Sequence, residues 1–377
     1  MNEKIWLSSP HMGGTEQKYV NEAFDTNWVA PLGPNVNGFE KDLETYLGHD
    51  SHVACVTTGT AAIHLALIIA GVERGDDVLC QTFTFCGSAN PIAYVGATPV
   101  FIDSEEDTWN MSPELLEEAI LSGIANGKKP KAVLAVHLYG MPARIAEIEA
   151  ICKKHGVFLI EDAAEALGST YKGKKCGTFG DLSILSFNGN KIITTSGGGA
   201  LVCRDAETKS RAIFLATQAR DEAPHYQHSE IGHNYRMSNI VAGIGRGQME
   251  VLDAHVALRQ KNNDFYKEVF STIEEVSIFE EPNSDFISNH WLSAITFNSE
   301  NMNRNREKLR IFLLNLNIES RPLWKPMHMQ PVFSGAKTFG GTVSESLFER
   351  GLCLPSGSNL TTSQKSSIEK AIKNYFS

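Results

Sequence analysis

Between about Ser51 and Cys203 the chain alternates short apolar runs with stretches of helical character. "HVACVT" is followed by the Ala- and Leu-rich "TAAIHLALIIAGV", then "DVLCQTF", "CGSANPIAYVG" and "TPVFID". The pattern continues through "KAVLAVHL", the amphipathic "ARIAEIEAICKKHG" and "VFLIEDAAE". Apolar runs separated by helices of about 10 to 15 residues imply βαβ units and a mostly parallel sheet covered on both faces. Such a sheet takes ligands at the carboxyl ends of its strands. With 377 residues the chain suits one large domain and a smaller one. We place the large α/β domain at 1–250, with the N-terminal segment free to pack elsewhere, and a small C-terminal α+β domain at 251–377. "SNIVAGIGRGQMEVLDAHVALRQKNNDFYKEVF" is predicted to be one long helix bridging the two.

Composition removes several function classes. The net charge of -10 speaks against nucleic acid as a partner. No apolar run reaches the 18 or so residues of a membrane span, and "MNEKIWLSSPHMGG" lacks the apolar core of a signal peptide, so a cytoplasmic protein is expected. The seven cysteines are scattered and form no CxxC pair, which fits reduced thiols and argues against a disulfide framework or a metal site. "GIGRG" lies inside a helical pattern with no strand before it, so a dinucleotide fingerprint is not supported, and no GxxxxGK[ST] loop is present.

Four segments carry chemistry. Thr58, Gly59 and Thr60 stand where a strand gives way to a helix, whose N–H groups and positive end suit a phosphate; an ordinary helix cap is the equal alternative. "QTFTFCGSAN" supplies Phe83 and Phe85, either of which could stack on a flat ligand or fill the core. Glu161 and Asp162 end a buried strand, where a carboxylate could hold a protonated pyridine nitrogen or cap the next helix. "SFNGNKIITTSGGGALVC" sets one lysine, Lys191, among small and polar residues before three glycines. A phosphate cup, an aromatic platform, a strand-end acid and a lysine in a pliant turn are the parts a pyridoxal 5'-phosphate site needs. Ser186, five residues before the lysine, could add its hydroxyl to the phosphate cup.

The series "TTGTAAIHLAL", "EDAAEALGS", "SFNGNKIITTSGGG" and "GHNYRMSN" resembles the DegT-type nucleotide-sugar aminotransferases, a branch of the fold-type I pyridoxal phosphate enzymes, over nearly the whole chain. "LSSPHMGGTEQKYV", "NWVAPLG" and "ESRPLWKPMHMQPVF" are most similar to members that aminate UDP-linked 4-keto-6-deoxy-N-acetylhexosamines, as in the bacillosamine pathway. The resemblance implies a seven-stranded, mostly parallel sheet between helices in the large domain. It implies that Lys191 carries the cofactor covalently and shuttles protons, that Asp162 pairs with the pyridine nitrogen and that Phe85 stacks on the ring. Gly59, Thr60 and Ser186, with Thr58 beside them, would hold the phosphate, and Glu165 would lie beside the ring. Asn234 would reach the cofactor phosphate of a second subunit, which makes a homodimer with shared active sites. Two positions depart from the family pattern: many members have Gln where this chain has Glu165, and GEGG where it has SGGG.

The implied reaction moves an amino group from L-glutamate to C4 of UDP-2-acetamido-2,6-dideoxy-4-hexulose. His328 is expected near the nucleotide-sugar, with Lys325 and Arg321 near its diphosphate, although each could instead be structural or solvated. Another nucleotide-linked keto-sugar (dTDP or GDP, C3 or C4) is an alternative substrate. An amino-acid aminotransferase is the second alternative; it would want an arginine for the substrate carboxylate, with Arg220, Arg236 and Arg321 available.

Overall fold

The computed structural model describes residues 3–48, 50–298 and 304–377. Its main sheet has eight strands. Across the sheet they run His52–Val56, Gly199–Cys203, Leu182–Ser186, Phe158–Asp162, Ala132–Val136, Asp77–Gln81, Thr98–Ile102 and Thr338–Phe339. Only Gly199–Cys203 runs against the others. Seven strands come from the alternating region, as expected. The eighth is a two-residue edge strand from the C-terminal third, which adds in parallel to Thr98–Ile102. Successive side chains on each strand bury into opposite faces: Val133, Ala135 and Leu159 join one core, Leu134, Val136 and Ile160 the other.

The last third builds a separate four-stranded antiparallel sheet, Val276–Ile278, Ser293–Phe297, Gly351–Leu354 and Arg321–Pro322, packed by helices Arg306–Asn315 and Thr362–Phe376. Ile5 bridges to Ile318 and sits in that core, so the N-terminal segment lies against the C-terminal sheet. The single helix expected over 238–270 is two, Asn239–Met249 and Leu252–Phe270. Val251 leaves the helical region (φ -116°, ψ 5°) and redirects the second helix. The glycines of "GIGRG" serve packing: a Cβ on Gly245 would fall 2.7 Å from the Phe39 ring.

Candidate active site

Beyond the carboxyl ends of the parallel strands lies a cavity of about 610 Å³. Thr58, Gly59, Thr60, Phe85, Asp162, Glu165, Ser186, Lys191 and Arg321 all line it. They arrive from several separate strand ends and loops, so the sheet's topology brings the set together. The helix Gly59–Ile69 opens on the cavity with its N-terminus. Thr58 caps it, its Oγ1 accepting from the Ala61 N–H at 3.0 Å, so the capping alternative holds for Thr58 while the Gly59 end of the helix still faces the cavity. The strand Gly199–Cys203 passes so near that a Cβ on Gly199 would stand 2.3 Å from the Gly59 nitrogen. That contact is why the run after the lysine ends in glycine. Phe83 is core, whereas Phe85 is 56% exposed and tilts against Trp324 with ring centres 5.5 Å apart.

Glu161 and Asp162, adjacent on one strand, face opposite ways. Glu161 accepts from the N–H groups of Gly177, Phe179 and Gly180, from Ser183 Oγ and from His137 Nε2. Burial alone would raise its pKa, but His137 and these donors outweigh that and hold it at about 2. It ties down the 177–180 turn. His137, Glu161 and Cys176 form the one cluster among the described residues that could converge on a cation. Its bonds are already made, since the Ala143 N–H donates to His137 Nδ1 at 2.9 Å.

Asp162 points into the cavity. Its Oδ2 accepts from Ser88 Oγ at 2.7 Å and its Oδ1 from the Ala164 N–H at 3.0 Å. Burial raises its pKa, partly offset by Ser88, Ala164 and Lys191. Lys191 Nζ lies 3.4 Å from Glu165 Oε1 and 3.9 Å from the centre of the Trp291 ring. The other Glu165 oxygen accepts from the Tyr139 N–H at 2.7 Å. Burial lifts Glu165 to about 7 against the pull of Lys191 and the Tyr139 N–H. An amine, a buried acid with lone pairs still open, and a helix N-terminus at the walls of one cavity form a donor set that fits a phosphorylated pyridine aldehyde.

His328 and Lys325 are not brought here, and Asn234, expected in a second subunit's site, does not line the cavity of its own chain. Asn234 is exposed and bridges Thr217. His328 lies outside it, its Nδ1 2.6 Å from Thr82 Oγ1 and its Nε2 2.9 Å from Glu345 Oε1. Lys325 does not line it either. Of the three arginines considered for a carboxylate, only Arg321 borders the cavity. Arg236 is tied to Glu40 and the Cys55 carbonyl, and Arg220 lies over the Tyr226 ring. Sequence reasoning missed Ser88, Trp291 and Trp324. Trp291 stands inside the strand-like "HWLSAITF", and only its polar flank "SN" hinted at a boundary.

A family model described as the DegT/DnrJ/EryC1/StrS aminotransferase family matches residues 10–373. EpsN of Bacillus subtilis (strain 168), which is named as a pyridoxal phosphate-dependent aminotransferase, is 51% identical over 380 residues, 100% of this chain and 97% of that protein. A GDP-perosamine synthase of Escherichia coli O157:H7 is 38% identical over 374 residues, 99% of each chain. The crystal structure of a DegT DnrJ EryC1 StrS aminotransferase from Brucella abortus superposes with a TM-score of 0.89 at 31% identity, over 96% of this chain and 95% of that one.

Proposed function

The chain belongs to the DegT/DnrJ/EryC1/StrS aminotransferase family and is a pyridoxal-phosphate-dependent sugar aminotransferase, and we propose that it moves the amino group of L-glutamate to C4 of a nucleoside-diphosphate-linked 4-keto-6-deoxyhexose. The observation that carries this reading is the convergence of Lys191, Asp162 and the Gly59 helix end on one cavity. When bound, the cofactor supplies an electron sink for the donor's Cα–H bond and a carrier for the amino group. Lys191 would hold it covalently, Asp162 would keep its pyridine nitrogen protonated, and Gly59, Thr60 and Ser186 would take its phosphate. Lys191 Nζ would be placed to take the proton from glutamate Cα and to deliver one to sugar C4. Phe85, Trp291 and Trp324 wall the cavity. The seven cysteines are free, which suits work in the cytoplasm. Among the described residues no helix is long and apolar enough to cross a membrane.

Two nucleotides are in play. The N-terminal and "ESRPLWKPMHMQPVF" motifs favour UDP-2-acetamido-2,6-dideoxy-4-hexulose, giving a UDP-4-amino-4,6-dideoxy-N-acetylhexosamine with an equatorial amine. The whole-length similarity to a GDP-perosamine synthase favours a GDP-linked sugar. NMR of the products formed from UDP- and GDP-linked 4-keto-6-deoxy sugars with glutamate separates them. Amination at C3, or turnover of keto acids but of neither sugar, would reject the proposal.

A further inference from the structure

Lys191 stands on a stretch with neither helix nor strand around it. What fixes the lysine is a set of side chains holding two consecutive backbone carbonyls. The Asn190 carbonyl accepts from Ser8 Oγ at 2.7 Å and from the Trp291 indole N–H at 2.6 Å. The Lys191 carbonyl accepts from Arg259 Nη2 at 3.4 Å. The His255 ring faces the backbone of Ile192. His255 and Arg259 are four residues apart on the helix Leu252–Phe270, so they share one face.

Arg259 is 1% exposed, and none of its hydrogen bonds goes to a carboxylate. It donates to the carbonyls of Trp291 (2.7 Å), Ser356 (3.3 Å) and Lys191, and to Ser8 Oγ (3.0 Å), while its Nε has no partner. Burial pushes its pKa down to about 9, so it is charged at neutral pH. A buried cation without an anion is costly, and a neutral side chain could fill the space. What the guanidinium adds is a planar fork that reaches several oxygens at once. Three of the four residues it joins, Ser8, Lys191 and Trp291, line the cavity. His11, three residues beyond Ser8, stacks on His255 with ring centres 4.5 Å apart.

We propose that Arg259, assisted by His255, is a positioning residue for Lys191: it fastens the N-terminal segment and the Trp291 loop to the lysine's own backbone, and so keeps Nζ between Glu165 and Trp291. Arg259 acts through these neighbours and touches no reacting atom. The test uses full-length Arg259→Met and Arg259→Lys. Cofactor affinity is measured by absorbance titration of the stripped protein, and the glutamate half-reaction by single turnover. For Arg259→Met the expected rate falls about 100-fold and cofactor affinity about 10-fold, with glutamate half-saturation within about twofold of wild type. Arg259→Lys keeps the charge without the fork and should lose about 10-fold in rate. A fall in rate at unchanged half-saturation supports the proposal. A folded variant whose rate and cofactor affinity stay within about threefold, or whose half-saturation rises in step with the fall in rate, overturns it. If Arg259→Met does not fold, Arg259→Lys decides by the same criteria.

Discussion

The amine of Lys191 stands 3.9 Å from the centre of the Trp291 ring. An ammonium over an indole gains about 0.5–2 kcal/mol depending on desolvation, and the Trp291 N–H bond to Asn190 fixes the ring under the lysine. Trp291→Leu should therefore slow the glutamate half-reaction by about 10-fold, and Trp291→Phe by less, since it keeps an aromatic face. Stopped-flow absorbance measures both. A Leu variant as fast as wild type would show that the ring does not place the amine.

Glu165 gives the protein a pH signature. Burial raises its pKa from 4.5 to about 7 in the fold. Below the lower value it is protonated in both folded and unfolded chains, and its contribution to stability is fully present. As pH rises towards 7 the unfolded chain ionises first, so that contribution is progressively lost. The loss amounts to at most about 3 kcal/mol. In cofactor-stripped protein, Glu165→Gln should flatten the urea stability profile between pH 5 and pH 8 and be the more stable form at pH 8. Parallel profiles for the two proteins would mean that Glu165 ionises normally.

How much of this site could be read beforehand varies with the kind of residue. Lys191, Asp162 and the Gly59 helix end were legible because each lies at a strand end or turn with an unusual local composition. The sheet was legible from the length and spacing of its apolar runs. Glu161 and Asp162 were not separable by composition; only the two-residue period of the strand, set by the register with Ala132–Val136, sends one to the 177–180 turn and the other to the cavity. Ser8, Arg259 and Trp291 meet behind the lysine, Ser8 and Arg259 from positions 251 residues apart, and nothing local marks a contact of that range. The helix break at Val251 had no glycine or proline to announce it.

Arg321 and His328 should now behave differently. Arg321 donates through Nε and Nη2 to Glu319 Oε1, whose other oxygen accepts from the Leu7 N–H, and this holds the guanidinium at the cavity wall. Arg321→Ala is expected to raise the half-saturation for the nucleotide-sugar about 10-fold, as loss of a charge-assisted phosphate contact would. His328→Ala removes the bonds to Thr82 and Glu345 and should cost about 1–2 kcal/mol of stability with little change in kinetics. Steady-state kinetics and thermal melts on the two variants check this. A higher half-saturation for glutamate alone in Arg321→Ala would reassign that residue to the donor carboxylate.

Asn234 tests whether the active sites are shared. It is exposed, outside its own chain's cavity, and follows a loop with Ile231 86% exposed. A second copy that covered this loop could bring Asn234 to the neighbouring site, as the resemblance implies. Lys191→Ala and Asn234→Ala chains should each be nearly inactive alone. In a mixed dimer one site would carry both lesions, while the other would combine an intact Lys191 with the partner subunit's intact Asn234. Equal mixing makes half of the dimers mixed, each with one sound site of two, so about a quarter of wild-type activity should return. Subunit exchange is confirmed by tagging the two chains differently. No recovery after confirmed exchange would place Asn234 outside the shared site and leave each cavity complete within one chain.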